Sequence, residues 1–153
     1  MISKKTKYAF KALMHLAVVP NDQPVLIADL AREESIPKKF LEFILLALRK
    51  GGVLNSRIGR GGGYSLALPA NRISLGSVLR ILEGDIAPVQ CLSTTHYVRC
   101  EECHDERTCG IRLAMVDVNS ALSAVLDKLT LADMVERSER EAGKLRNVMD
   151  FSI

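Results

Sequence analysis

The chain has 153 residues, 48% hydrophobic and only 5% aromatic, no tryptophan, and a formal net charge of +3. That is one ordinary domain's length with material for an aliphatic core, and it suits helices better than a sandwich of short strands. No apolar run approaches the roughly 18 residues of a membrane span, and "MISKKTKYAF" lacks the apolar stretch of a secretory leader, so a cytoplasmic location without membrane contact is expected.

Residues 4–19 place Phe10, Leu13, Met14 and Ala17 at i, i+3, i+4 and i+7, which predicts an amphipathic helix with lysines opposite. Pro20, Asn21, Asp22 and Pro24 break it. A short helix is predicted over "IADLAREES", with Ile27, Leu30 and Ala31 inward. After a small turn, Pro37 suits the first position of a further helix that carries Leu41, Ile44, Leu45 and Leu48 on one face and stops at Gly51-Gly52. Short helix, tight turn and helix is the order of a helix-turn-helix, whose second helix lies in the DNA major groove.

"VLNSRI" and "YSLAL" are strand-like runs joined by "GRGGG", whose glycines permit the positive φ of a tight turn; Pro69 ends the second run. A hairpin directly after a recognition helix is the wing of a winged helix, and Arg57 and Arg60 at its tip suit a phosphate or the minor groove. A nucleotide-phosphate cradle is the rival reading, but there is no G-x-x-x-x-G-K-[ST] and no helix begins after the turn. The charge split suits a polyanion partner for the front half, with a basic solvated face as the plainer reading. Residues 1–80 hold 13 basic and 5 acidic side chains, a balance of +8, whereas residues 81–153 hold 8 and 13, a balance of −5.

A helix is predicted near 75–83, with Ser74 as N-cap, Leu75, Val78, Leu79 and Leu82 inward, and Gly84 and Pro88 beyond its end. From about 108 the pattern is helical again: Ile111, Met115, Val118, Leu122, Val125 and Leu129 step by 4, 3, 4, 3, 4. That heptad seam suits a dimerisation helix, with packing on its own domain as the alternative. A further short helix is predicted near Thr130, paired with Asp133 as in a capping box, and the polar residues 136–153 are expected to fray.

All four cysteines fall in "CLSTTHYVRCEECHDERTCG", residues 91–110. The candidates are a metal or iron–sulfur site, a redox switch or a disulfide staple, and a reducing cytoplasm disfavours the staple. Cys100 and Cys103 form a C-x2-C, with Cys109 six positions on, which also suits structural zinc, although a second C-x2-C is missing. Glu101, Glu102, Asp105 and Glu106 surround the thiols and are expected to raise their pKa, against a fast thiolate switch. No nucleophile–base constellation is present, so an enzyme is not expected.

The order of elements, "LRKGGVLNSRIGRGGGYSLALP" and the cysteine loop before a long helix resemble the iron–sulfur regulator family of IscR and NsrR, over roughly residues 1–135. The resemblance implies a mainly α fold with a small β-hairpin: a winged helix-turn-helix at 1–69, a fourth helix, cluster loop and long C-terminal dimerisation helix at 70–135, and a polar flexible tail at 136–153. It implies a homodimeric bacterial transcription regulator on a double-stranded DNA operator, with a [2Fe–2S] or [4Fe–4S] cluster in many members and none in others. Carried onto "PKKFLEF", Lys38 and Lys39 face phosphates or guanine edges, Phe40 a thymine methyl, and Glu42 the groove. Solvated lysines, a core Phe40 and a Glu42 paired with a lysine are the plainer readings. Arg49 in "LRKGG" and Arg57, Arg60 and Gly61 in the wing complete the expected DNA-binding set, while Ile58 stands where relatives carry an arginine.

Among the cysteines, Cys103 and Cys109 keep the family's five-residue gap, Cys91 lies eleven residues before Cys103, and Cys100 is extra. Where relatives supply a histidine ligand this chain has Arg112, and where others use an acidic residue of the first helix it has "KKTKY". Ligation by Cys91, Cys100, Cys103 and Cys109 is therefore the simplest expectation, favouring [4Fe–4S] over [2Fe–2S], with His96 and His104 as alternatives.

Overall fold

The computed structural model describes residues 2–20 and 23–150, with side chains through 146; the predicted breakers Asn21 and Asp22 and the last three residues lie outside the described residues. Six helices and one hairpin follow in order: α1 (Lys4–Val18), α2 (Ile27–Glu33), α3 (Lys38–Lys50), β1 (Leu54–Arg57), β2 (Gly63–Leu66), α4 (Leu75–Glu83), α5 (Gly110–Lys128) and α6 (Leu131–Asp150). The chain is mainly α with a two-stranded antiparallel sheet, as the patterning predicts.

The core is aliphatic, with Phe10 its single buried aromatic among the described residues. Leu41, Ile44, Leu45 and Leu48 of α3 are buried as their spacing predicts, and so are Leu30 and Ala31 of α2 and Val78, Leu79 and Leu82 of α4. The buried face of α1 is wider than the predicted stripe: Thr6, Ala9, Phe10, Ala12, Leu13 and Leu16 are inside, while Met14 and Ala17 pack at its margin. The reason is a neighbour the stripe does not reveal. Helix α6 returns against α1, which is covered by α3, α4 and α6 together.

Helix starts follow local chemistry. Ser74 caps α4 by accepting from Ser77 N at 3.1 Å, and Ser3 caps α1 by accepting from Thr6 N. Thr130 and Asp133 form the reciprocal box at α6, with Thr130 N donating to Asp133 Oδ2 at 2.8 Å and Asp133 N to Thr130 Oγ1 at 3.2 Å. Pro37 differs from expectation: it is the N-cap residue of α3, one position before the helix. The largest difference is α6, which is not short but continues through Asp150. Its stretch "EREAGKLR" lacks an apolar stripe, yet apart from Gly143 it is built of good helix formers, and Glu136–Arg140 and Glu141–Lys144 pairs lie about one turn apart along the helix.

A short backbone bridge fixes the second half. Leu75 N donates to Leu129 O at 2.9 Å and Leu131 N to Ile73 O at 2.8 Å, clamping the α5–α6 corner to the start of α4. Arg80 grips Asp127 with two hydrogen bonds at 2.6 and 3.0 Å, tying α4 to the end of α5. Helix α5 packs on α4, with Leu126 against the core, yet none of its 19 residues is buried, and Ile111, Val118, Leu122 and Val125 of the heptad seam are exposed.

Candidate nucleic-acid interface and cysteine pocket

The α2–α3 turn is made by Ser35, at φ 54°, and by buried Ile36, whose N–H returns to Ala31 O at 2.9 Å. Helix α3 then presents an outer face. Lys38, Lys39 and Glu42 are exposed on it, and its first turn has neither an acidic residue nor a side-chain cap. Two lysines beside a positive dipole end are unfavourable in isolation and are relieved by an anion. Phe40 is 38% exposed but turns its ring edge-on to Tyr8, 5.8 Å away, so it belongs partly to the α1–α3 packing. Phe43 was not singled out in the sequence, yet it is 73% exposed on the same face, with half-exposed Leu46 one turn on. The available signal is its spacing, since Phe43 falls off the Leu41, Ile44, Leu45, Leu48 stripe.

The wing pairs Leu54 with Leu66, Asn55 with Ser65, Ser56 with Tyr64 and Arg57 with Gly63. Gly59 and Gly61 shape its tip at φ 95° and 75°, and Arg57, Ile58 and Arg60 project from it into solvent, Ile58 with 94% of its surface exposed. Three bonds tie the wing to the helices beside it. Val25 and Tyr64 exchange backbone hydrogen bonds at 2.9 Å, and the approach is so close that a Cβ on Gly63 would lie 2.3 Å from Val25 O. Arg49 Nη1 donates to Ser56 Oγ at 2.9 Å, so Arg49 ties the end of α3 to β1 while remaining exposed.

The cysteine loop begins where Gly84 ends α4. Asp85 accepts hydrogen bonds from the hydroxyls of Ser93, Thr94 and Thr95 at 2.9, 3.1 and 3.0 Å and from the N–H groups of Thr94 and Thr95. Desolvation works to raise its pKa, and these donors more than offset it, holding the carboxyl well below the usual range. This latch folds the segment after Cys91 back to the α4 terminus, a role the sequence reading did not assign. At the other end of the same junction, desolvation of Glu83 is outweighed by the hydroxyls of Ser3 and Thr6, which anchor the start of α1 and hold the carboxyl low.

Cys91, Cys100, Cys103 and Cys109 all line one open pocket of about 500 Å³, together with Glu102, Ile111 and Arg112. The four thiols are free, and none is fully buried. Cys100 Sγ donates to Glu102 Oε2 at 3.1 Å, which pushes the thiol pKa up. A hydrogen bond with Cys109, then desolvation, pushes Cys103 up to about 11. Cys109 is the N-cap residue of α5. The N–H of Arg112 and then the Cys103 thiol hold its pKa down, although no side-chain capping hydrogen bond is complete.

Arg112 occupies the pocket wall. Its Nε is buried without a hydrogen-bond partner, 4.0 Å from Glu106 Oε2. His96 and His104 do not line this pocket; His96 pairs with Thr95 Oγ1 at 2.9 Å. Among the described residues no three His, Cys, Asp or Glu side chains are already gathered at metal-ligating reach. The pocket nevertheless suits an iron–sulfur group in donor type, in number and in the unpaired Arg112 donor beside anionic sulfur. Among the described residues no helix is long and apolar enough to cross a membrane.

The family model described as Rrf2, "Iron-dependent Transcriptional regulator", matches residues 2–137. An rrf2-like HTH-type transcriptional regulator of Rhodobacter capsulatus is 44% identical over 138 residues, covering 88% of this chain and 92% of that one. Among solved structures, CymR, the global cysteine regulator of B. subtilis, superposes with a TM-score of 0.72 at 27% identity, covering 90% of this chain and 97% of that one. IscR of T. potens follows at 0.71 and 27%, covering 92% and 90%. These relatives are regulators and not enzymes. The matched span takes in the helix-turn-helix, the wing and the whole cysteine pocket, and the chain belongs to the Rrf2 family of DNA-binding transcriptional regulators.

Proposed function

We propose that the chain acts as a cytoplasmic homodimer on a double-stranded operator, and that an iron–sulfur cluster held by Cys91, Cys100, Cys103 and Cys109 sets its affinity. The observation that carries this reading is the convergence of all four cysteines, drawn from two ends of a loop, on one pocket at the foot of α5. Four thiols with no histidine in the lining favour [4Fe–4S] over [2Fe–2S]. A bound cluster supplies metal–thiolate bonds that tie the segment after α4 to the first turn of α5. The exposed seam of α5 supports pairing with a second copy, since an apolar helix face without a covering element is a partner surface. Lys38, Lys39, Arg49, Arg57 and Arg60 contact phosphates, with Phe40, Glu42 and the backbone at Gly61 beside the groove.

The signal in this reading is iron supply, redox state or nitric oxide, each of which acts through cluster occupancy. The test is the iron and sulfide content and visible spectrum of chain reconstituted without oxygen. Stoichiometric iron and sulfide with sulfur-to-iron absorption are expected; colourless, iron-free protein contradicts the cluster.

A second reading, of a cluster-free thiol regulator, is favoured by the place of Cys103 and Cys109 as free thiols in the lining of the same pocket. A peroxide joining the pair forms one S–S bond and takes up two protons and two electrons as its O–O bond breaks. Iron-free protein in which these two thiols disappear together on peroxide treatment, with altered DNA affinity, selects this reading.

A further inference from the structure

We infer that Phe43 is a specificity-determining residue that reads the C5-methyl of a thymine in each half-site, a role its exposure assigns to it and not to Phe40. The inference rests on the DNA-reading role of α3 proposed above. Phe43 is 73% exposed at the middle of the outer face, where Lys39, Glu42, Phe43 and Leu46 follow one another at i, i+3, i+4 and i+7. Phe40, 38% exposed, has its ring committed to Tyr8 at 5.8 Å. A large aromatic left in water on a helix needs a covering partner, and charge identifies it. Lys38, Lys39, Arg49, Lys50, Arg57 and Arg60 are all exposed around this face, which favours a polyanion over a second protein surface.

Within the major groove, the choice of base follows from what a phenyl ring lacks. It can neither donate nor accept an N–H···O bond, so against the exocyclic amine of adenine or cytosine, or the carbonyl of guanine, it strips water from a polar group and returns nothing. The thymine methyl is the only apolar group displayed on a base edge there. Phe43 therefore favours thymine by burial and disfavours the other bases by leaving them unsatisfied. Glu42, one position earlier, remains free to accept from an amine at the neighbouring step.

The test uses the intact chain, prepared without oxygen in cluster-loaded and metal-free form, to enrich sites from a random duplex library. Each thymine of the enriched site is then replaced by deoxyuridine, which removes only the methyl. Wild type is expected to lose about fourfold in affinity at one thymine per half-site, the value of one buried methyl. Phe43→Ala is expected to bind thymine and deoxyuridine sites equally, at the affinity of wild type for the site with the thymine of both half-sites replaced. Phe43→Leu, which keeps an apolar surface, retains part of the discrimination.

A wild type indifferent to deoxyuridine at every position overturns the inference alone, as does undiminished discrimination by Phe43→Ala. A Phe43→Ala protein that changes its association state and leaves DNA affinity unchanged also overturns it, because the ring then covers a second copy. A chain that enriches no DNA in either form overturns the regulator reading and this inference with it.

Discussion

At the scale of single residues, the side chains that matter most are those whose partners are irreplaceable. Thr6 is fully buried, and its hydroxyl reaches only the Glu83 carboxylate beyond its own helix. Glu83→Ala leaves that hydroxyl unsatisfied, and a loss of about 1–3 kcal/mol is expected in chemical denaturation. The sign of the pH effect follows from the lowered Glu83 pKa. Its contribution is complete above the ordinary carboxylate value of about 4.3 and is lost as pH falls through the folded-state value. Glu83→Gln is expected to flatten that part of the acid-stability curve.

Cys100 is the residue on which the ligand count turns. If four thiols hold the cluster, Cys100→Ser loses iron and visible absorption as fully as Cys109→Ser. Retention of the wild-type iron content by Cys100→Ser reduces the set to the family's three cysteines. In the wing, Arg60→Gln is expected to weaken binding to all sequences alike and to lower the slope of log affinity against log salt by about 1.

At the scale of elements, α5 behaves unlike its neighbours. Because none of its residues is buried within the chain, a charge on its seam does not disturb the core. Leu122→Glu is therefore expected to give a folded monomer, seen as unchanged helicity with half the mass in sedimentation equilibrium. A dimer that survives Leu122→Glu shows that another face pairs. The wing depends on one close approach: at φ 145°, with Val25 O in the way, Gly63→Ala forces β2 from the start of α2 and is expected to lower both stability and DNA affinity.

These elements also show what periodicity reveals. The stripes of α2, α3 and α4 are legible because each helix buries one face against a single core. Helix α1 is less so, because α6 returns to cover a further part of its surface, and the end of α6 is invisible to an apolar pattern because propensity and ion pairs sustain it. In the site, the gathering of the thiols follows from their closeness in sequence. The Asp85 latch does not, since its partners lie eight to ten residues away in a loop without period. Phe43 lies in the hydrophobic run "FLEFILLAL", where its spacing sets it off the buried Leu41, Ile44, Leu45 and Leu48 stripe but only three-dimensional placement shows how fully it is exposed.

At the scale of the whole molecule, a basic reading head and an acidic rear half are joined through one junction. Helix α4 packs on α3 and α5, Glu83 at its end holds α1, Asp85 holds the loop after Cys91, and Cys109 opens α5. A change at the thiols is thus transmitted to the spacing of two recognition helices only if the loaded and empty forms favour different arrangements. About 1.4 kcal/mol of such difference is tenfold in affinity. The most direct test of this coupling is the Kd for one enriched operator duplex, measured by fluorescence anisotropy at fixed salt for a single anaerobic preparation before and after removal of its iron and sulfide. The two forms are expected to differ by about tenfold or more; equal affinities, with iron and sulfide verified in one form and absent from the other, contradict control by the cluster.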